Sequence, residues 1–208
     1  MSANIDKIFN DLKNKIYHPI YFLAGEESYF IDTISDYIEK HVLDDMEKEF
    51  NQTVVYGRDV DVLSVISMAK RFPMMANYQV VIVKEAQDIK NIEELLPYIE
   101  NPLDSTLLVI NYKYKKLDKR KSFFKQIGKK GVLFESKKLY DNKIAGWINN
   151  YVKEKGYEIT PKACAMLTEF LGSNLSKVVN EISKLIINVP EKSIINDELV
   201  ERNIGISK

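Results

Sequence analysis

The sequence is poor in the residues that build disulfide frameworks and metal centres. One cysteine, Cys164, stands among 208 residues, so no internal disulfide can form and a reducing compartment suits the chain. It shares a helical pattern with Ala163 and Leu167 and reads as core rather than nucleophile. The two histidines, His18 and His41, make no recognisable metal set with one distant cysteine. No apolar run approaches the ~18 residues needed to span a bilayer. The opening segment MSANIDKIFNDLKNKI interleaves Asp and Lys with Ile5, Ile8, Phe9, Leu12 and Ile16 at helical spacing, unlike the apolar core of a signal peptide. These features point to a cytoplasmic protein with no membrane contact and no metal site. Net charge is missing as well. Thirty basic and thirty acidic residues cancel, so bulk charge does not announce a nucleic-acid binder. There is no internal repeat and no low-complexity tract.

What is present is an alternation of short apolar runs and helical patterns. PIYFLAG reads as a buried strand from Pro19 to Ala24, followed by a helix from Ser28 to about Val42. QTVVYGRD is a second strand, and Val62, Val65, Ile66, Ala69 and Phe72 give the stripe of a further helix. Pro73 ends it, since proline lacks a donor and crowds the preceding turn. YQVVIVKEA, STLLVINY and GVLFES are the third, fourth and fifth strands, with NIEELLPYIEN and DKRKSFFKQI as the intervening helices. Strands alternating with helices predict a mostly parallel, three-layer α/β sheet over residues 1–139. Residues 140–208 read as a small all-α lid domain, its helices marked by DNKIAGWINNYVKEKG, TPKACAMLTEFLG and NLSKVVNEISKLII, with a weaker one from Asn196 to Asn203. Trp147 is the expected core anchor of that part.

Gly25 closes the first strand where a phosphate-binding loop would open, but the motif's working residues are replaced. In the register G-x-x-x-x-G-K-[ST], Phe30 takes the second glycine, Ile31 the lysine and Asp32 the magnesium-binding hydroxyl. A P-loop-like domain followed by a helical lid resembles the AAA+ family, and against that family's pattern the third strand ends with Lys84 where a magnesium carboxylate would be expected, although Glu85 remains. Asn111 holds the neutral position at the end of the fourth strand. Ser176, in GSNLSK, stands where a lid arginine would reach a γ-phosphate. Glu26 and Glu27 occupy the helix start that would otherwise greet phosphate. The plainer reading of GEESYF is a capped turn before a helix.

A second motif is RFPMMANYQVVIV. Met74 and Met75 lie between a helix cut short by Pro73 and a buried strand, and two neighbouring methionines in a loop can hardly both face inward. Methionine is unbranched and polarizable and fits an irregular partner pocket. The plainer alternative has both covering the rim of the sheet. A third feature is the run from Tyr112 to Lys138, with eleven Lys/Arg against Asp118 and Glu135. Lys115, Lys116, Lys119, Arg120 and Lys121 are its candidates for contact with DNA phosphates or a neighbouring subunit. A solvated face is the simpler account, because Phe123 and Phe124 fit a helix's buried side rather than an exposed stacking platform.

Within the AAA+ family, PIYFLAGEESYFID, FPMMANYQVVIVKEA, STLLVINYKYKKLDKRKSFFKQI and LGSNLSKVVNEISKL, in that order, resemble the delta subunits of bacterial DNA polymerase III clamp loaders. That resemblance implies a subunit that binds no ATP and opens the sliding clamp, with a hydrophobic pair before the third strand as its clamp-binding element. The pair falls on Met74 and Met75, where many relatives carry Leu-Phe or similar. It further implies ATP-binding AAA+ subunits, a delta-prime subunit and primed DNA as partners in the assembled loader. The family also has a helical collar domain, expected to begin about where ERNIGISK ends this sequence. The Ser-Arg-Cys motif and zinc-ligand cysteines of delta-prime are absent. Two other readings stand beside it: a divergent P-loop ATPase or nucleotide kinase using Glu85 and a lysine such as Lys84, and a DNA-binding scaffold built on the basic run.

Overall fold

The structure, a computed structural model, describes residues 4–115, 117–118 and 120–204. The chain divides into two compact units, Met1–Lys137 and Lys138–Lys208.

The first unit runs α1 (Ile5–Lys13), β1 (Ile20–Gly25), α2 (Ser28–His41), α3 (Asp45–Asn51), β2 (Gln52–Tyr56), α4 (Val62–Ala69) and β3 (Gln79–Lys84). Two 3-10 turns, Ala86–Asp88 and Ile92–Leu95, lead to α5 (Leu96–Glu100), β4 (Thr106–Lys113), α6 (Ser122–Lys130) and β5 (Val132–Ser136). The five strands form one sheet in the order β2-β3-β4-β1-β5, and every neighbouring pair is parallel. β1 lies between β4 and β5 and is buried along its whole length. Its alternation splits the interior in two. Ile20, Phe22 and Ala24 pack with residues of α4, α5 and α6, whereas Tyr21 and Leu23 pack with residues of α1 and α2. A strand covered on both faces has no polar side to show, which is why IYFLA reads as an uninterrupted apolar run. The α/β fold expected from the sequence is the fold found.

Four departures from the expected elements are local. α1 stops at Lys13 because Asn14 caps it, leaving Ile16 exposed. α4 stops at Ala69 with Lys70 as its cap, so Phe72 lies in the following loop and is exposed. α6 starts at Ser122 rather than near Asp118. α3 is an additional helix, opened by a capping box in which Asp44 accepts from Glu47 N–H while the Glu47 side chain accepts from Asp44 N–H.

The second unit contains α7 (Asp141–Glu154), α8 (Pro161–Leu171), α9 (Leu175–Ile187) and α10 (Asp197–Ile204). Two short strands, β6 (Glu158–Ile159) and β7 (Ile194–Ile195), pair in parallel, an addition to the helical expectation. Thr160 caps α8 with Pro161 at its first position. The centre of α7 is Ile144, Ile148 and Val152. Trp147 is half-buried and stacks on Tyr151, so aliphatic residues rather than the indole anchor this helix. Cys164 is buried and its thiol donates to the Ala145 carbonyl at 3.2 Å.

Candidate functional site

The carboxyl end of β1 is where an open parallel sheet of this kind receives a ligand. Here that end is filled from within. Gly25 adopts φ 125°, and a Cβ on it would fall 2.1 Å from the Ser136 carbonyl oxygen, so only glycine fits against β5. The Ser136 carbonyl accepts from Glu26 N–H at 3.3 Å. Its hydroxyl accepts from Glu27 N–H at 3.2 Å and donates to the Ala24 carbonyl at 3.1 Å. Glu27, itself buried, caps α2 and accepts from Tyr29 N–H at 3.2 Å. The amides that would cradle phosphate are therefore used by Ser136 and Glu27, and Ser136 is a participant that sequence reasoning missed. Ile31, at the lysine position, is fully buried. Phe30 is half-buried, edge-on to Tyr29.

A lysine from β4 supplies positive charge to this region. Lys113 Nζ lies 2.8 Å from Asp32 Oδ1 and 2.7 Å from Glu85 Oε1. Gln87 completes the group, donating to Glu85 Oε2 at 2.6 Å and accepting Lys113 N–H at 3.0 Å. Burial pushes the Asp32 carboxyl above its usual range despite the opposing pull of Lys113. Burial also works against the Glu85 carboxylate, but hydrogen bonds from Lys113 and Gln87 outweigh it and hold that group below its usual value. Burial likewise opposes the Lys113 ammonium, and its two carboxylate partners more than compensate, so its pKa is raised. Lys84 points to a different partner, Glu39 of α2, at 2.9 Å. Burial lowers its pKa and Glu39 more than restores it. Asn111 is fully buried and makes no side-chain hydrogen bond among the described residues. Ser176 lies in the first turn of α9, in the second unit. Among the described residues no cluster of His, Cys, Asp and Glu is placed to hold a metal.

The methionine loop is held open rather than packed down. Asn51, buried at the end of α3, takes both backbone groups of Met74: Met74 N–H donates to Asn51 Oδ1 at 2.6 Å, and Asn51 Nδ2 donates to the Met74 carbonyl at 3.0 Å. At the other end of the loop, Gln79 Nε2 donates to the Arg71 carbonyl and to Thr106 Oγ1. Between these anchors Met74 is 53% exposed and Met75 100% exposed. Met75 also has φ 55°, a left-handed conformation that costs a non-glycine residue on the order of 1 kcal/mol. A residue without burial to offset that cost is held there by its neighbours.

In the basic run, Lys115 Nζ donates to the Gln87 carbonyl at 3.0 Å and sits over the Tyr112 ring. Arg120 pairs with Asp118 at 2.9 Å and Lys121 with Glu93 at 2.5 Å. Lys116 and Lys119 lie outside the described residues. Phe123 and Phe124 are buried, as expected.

A parallel sheet in this order, with a loop and helix following β1, defines a three-layer α/β domain of P-loop-like topology. Within that class the chain belongs to the DNA polymerase III delta subunit family, whose sequence model matches residues 21–137. It is 29% identical over 188 residues to the DNA polymerase III subunit delta of Bacillus subtilis (strain 168), which covers 86% of this chain and 54% of the relative. The solved Bacillus subtilis DNA clamp loader delta protein superimposes with a TM-score of 0.75 at 26% identity, over 96% of this chain and 62% of that one. The chain thus spans little more than half the length of the curated relative it matches.

Proposed function

We propose that the chain is a non-catalytic clamp-loader subunit that binds and opens the sliding clamp of DNA replication, with Met74 and Met75 as the binding element. The observation that carries this reading is Met75: fully exposed, left-handed, and fixed by the Asn51 clasp. An apolar side chain presented in that way loses nothing by leaving the surface and gains by entering a partner's pocket, about 1.5–3 kcal/mol for each methionine buried. Family membership supplies the partner. ATP-binding AAA+ subunits of the loader, acting with delta-prime, would control when the surface is available, and primed DNA would be met only in the assembled cytoplasmic complex.

The closed phosphate loop supports the absence of catalysis. A triphosphate entering beside Gly25 would have to displace Ser136 from the loop amides and meet Asp32 and Glu85, with Lys113 already committed to both carboxylates. No described helix is long and apolar enough to cross a membrane.

The test is a titration of the chain against its organism's own clamp. Met74→Ala with Met75→Ala is expected to abolish binding while the melting temperature stays within about 2 °C, because neither side chain belongs to a core. A large fall in melting temperature, or binding that survives the double change, overturns the reading. Micromolar MgATP binding by calorimetry would favour the ATPase alternative instead.

A further inference from the structure

Helix α3 carries its large apolar side chains on the outside. Met46 is 79% exposed and Phe50 66% exposed, and their i,i+4 spacing stacks them on one face. The residue that α3 buries is Asn51, the one that takes both backbone groups of Met74. Two hydrogen bonds therefore join the end of this helix to the methionine loop, and Phe72, 77% exposed, belongs to the same loop. Met46, Phe50, Phe72, Met74 and Met75 are thus gathered on two short segments tied together at Asn51. Isolated exposed apolar residues are ordinary, but such a gathering on a monomer's surface marks an interaction site.

The chemistry of the border narrows the occupant. Asp45 and Glu49 are exposed and, at i,i+4, form a row beside the Met46–Phe50 row. Within α3 and its cap, Asp44, Asp45, Glu47 and Glu49 stand against a single cation, Lys48, which pairs with Asp45 at 2.9 Å. An apolar ridge with an acidic margin is complementary to a hydrophobic recess with a basic rim. A second copy of this chain fits poorly, because a two-fold contact through this face would set its acidic rows against each other.

We propose that α3 is the second contact of the surface that Met74 and Met75 begin, with Met46 and Phe50 lying on the same partner and Asp45 and Glu49 facing basic groups at its rim. The proposal rests on the reading of the methionine loop as the clamp-binding element. It assigns α3 two tasks: Asn51 presets the loop, and the outer face extends the contact.

The experiment compares three forms of the 208-residue chain against the sliding clamp by surface plasmon resonance: the natural sequence, Met46→Gln with Phe50→Gln, and Met74→Ala with Met75→Ala. Glutamine keeps helix propensity, and both α3 positions are exposed, so the helix and the melting temperature should be retained. The α3 variant is expected to bind about tenfold more weakly, mainly through faster dissociation. A further variant, Asp45→Lys with Glu49→Lys, should slow association, most clearly at low salt. Unchanged affinity in the α3 glutamine variant, with binding still lost in the methionine-loop variant, overturns the α3 contact and leaves the loop reading standing. Binding retained in the methionine-loop variant fells the loop reading and the α3 contact with it. Loss of a self-dimer by sedimentation, with clamp affinity unchanged, also overturns the proposal.

Discussion

Lys113 sits at the end of an apolar strand and between two acids, Asp32 and Glu85, at 2.8 and 2.7 Å. Removing the ammonium while keeping the stem, as in Lys113→Met, would leave both carboxylates facing each other without their cation. The side chains of Asp32 and Glu85 are partly solvated, so the loss at pH 7 is expected to be about 1–2 kcal/mol rather than the larger figure of a fully buried pair. Its pH dependence has a definite sign. Glu85 is depressed in the folded chain, so its contribution is present above its ordinary pKa and disappears as pH falls through the folded value. Lys113 is raised, so its contribution is present below its ordinary pKa and disappears only as pH climbs through the folded one. Asp32, raised by burial, opposes Glu85 and softens the acid edge. The gap between natural chain and variant should therefore be widest from about pH 6 to 9 and narrow towards pH 4, where the carboxylates take up protons. Urea titrations at pH 7 and pH 4 measure it. An equal gap at both values would mean that the lysine acts through packing alone.

The elements were legible in proportion to how much of their burial is written as a repeating pattern. β1, β3 and β4 are apolar along nearly their whole length because helices cover both faces, and a continuous run announces that directly. That at least one methionine of the pair is exposed was legible, because neighbouring loop residues can hardly both face inward; that both are exposed depends on the Asn51 clasp, which the local sequence does not record. α3 was not found, since a helix that keeps its apolar residues outside shows no inward stripe; Asp44 and Glu47, spaced as a capping box, were the available signal. Lys113 and Ser136 escaped for another reason. Each acts at a strand end on residues brought near by sheet order, and nothing in the local sequence records that neighbour. α3 depends heavily on its cap, being seven residues long and below the length at which a helix holds by itself. Asp44→Ala should cost about 1 kcal/mol and leave the sheet intact. Hydrogen exchange would show faster exchange at the α3 amides and, through Asn51, at Met74 N–H, with β3 and β4 unaffected. Protection at Met74 that survives the substitution would separate the clasp from the helix.

At the scale of the whole molecule, the distribution of parts between the two units decides what each can do alone. Both cores flanking the sheet, the closed loop with Ser136 and Lys113, and the Asn51–Met74 clasp all fall within residues 1–137. The family match from 21 to 137 lies within the same unit. The second unit has its own aliphatic centre in Ile144, Ile148, Val152, Leu167, Val178 and Ile182, yet it is near the size at which a bundle without disulfide or metal is marginal. Charge is divided unevenly as well. The excess of basic groups between Tyr112 and Lys138 falls almost wholly in the first unit, where Lys113, Arg120 and Lys121 pair with acids. A chain ending at Lys137 is therefore expected to unfold cooperatively and to keep its affinity for the clamp within about threefold of the 208-residue chain. Calorimetric melting and the clamp titration test the two halves of that expectation. A fragment that folds but binds tenfold or more weakly would place part of the clamp contact in the helical unit, and the methionine loop would then be one anchor among several.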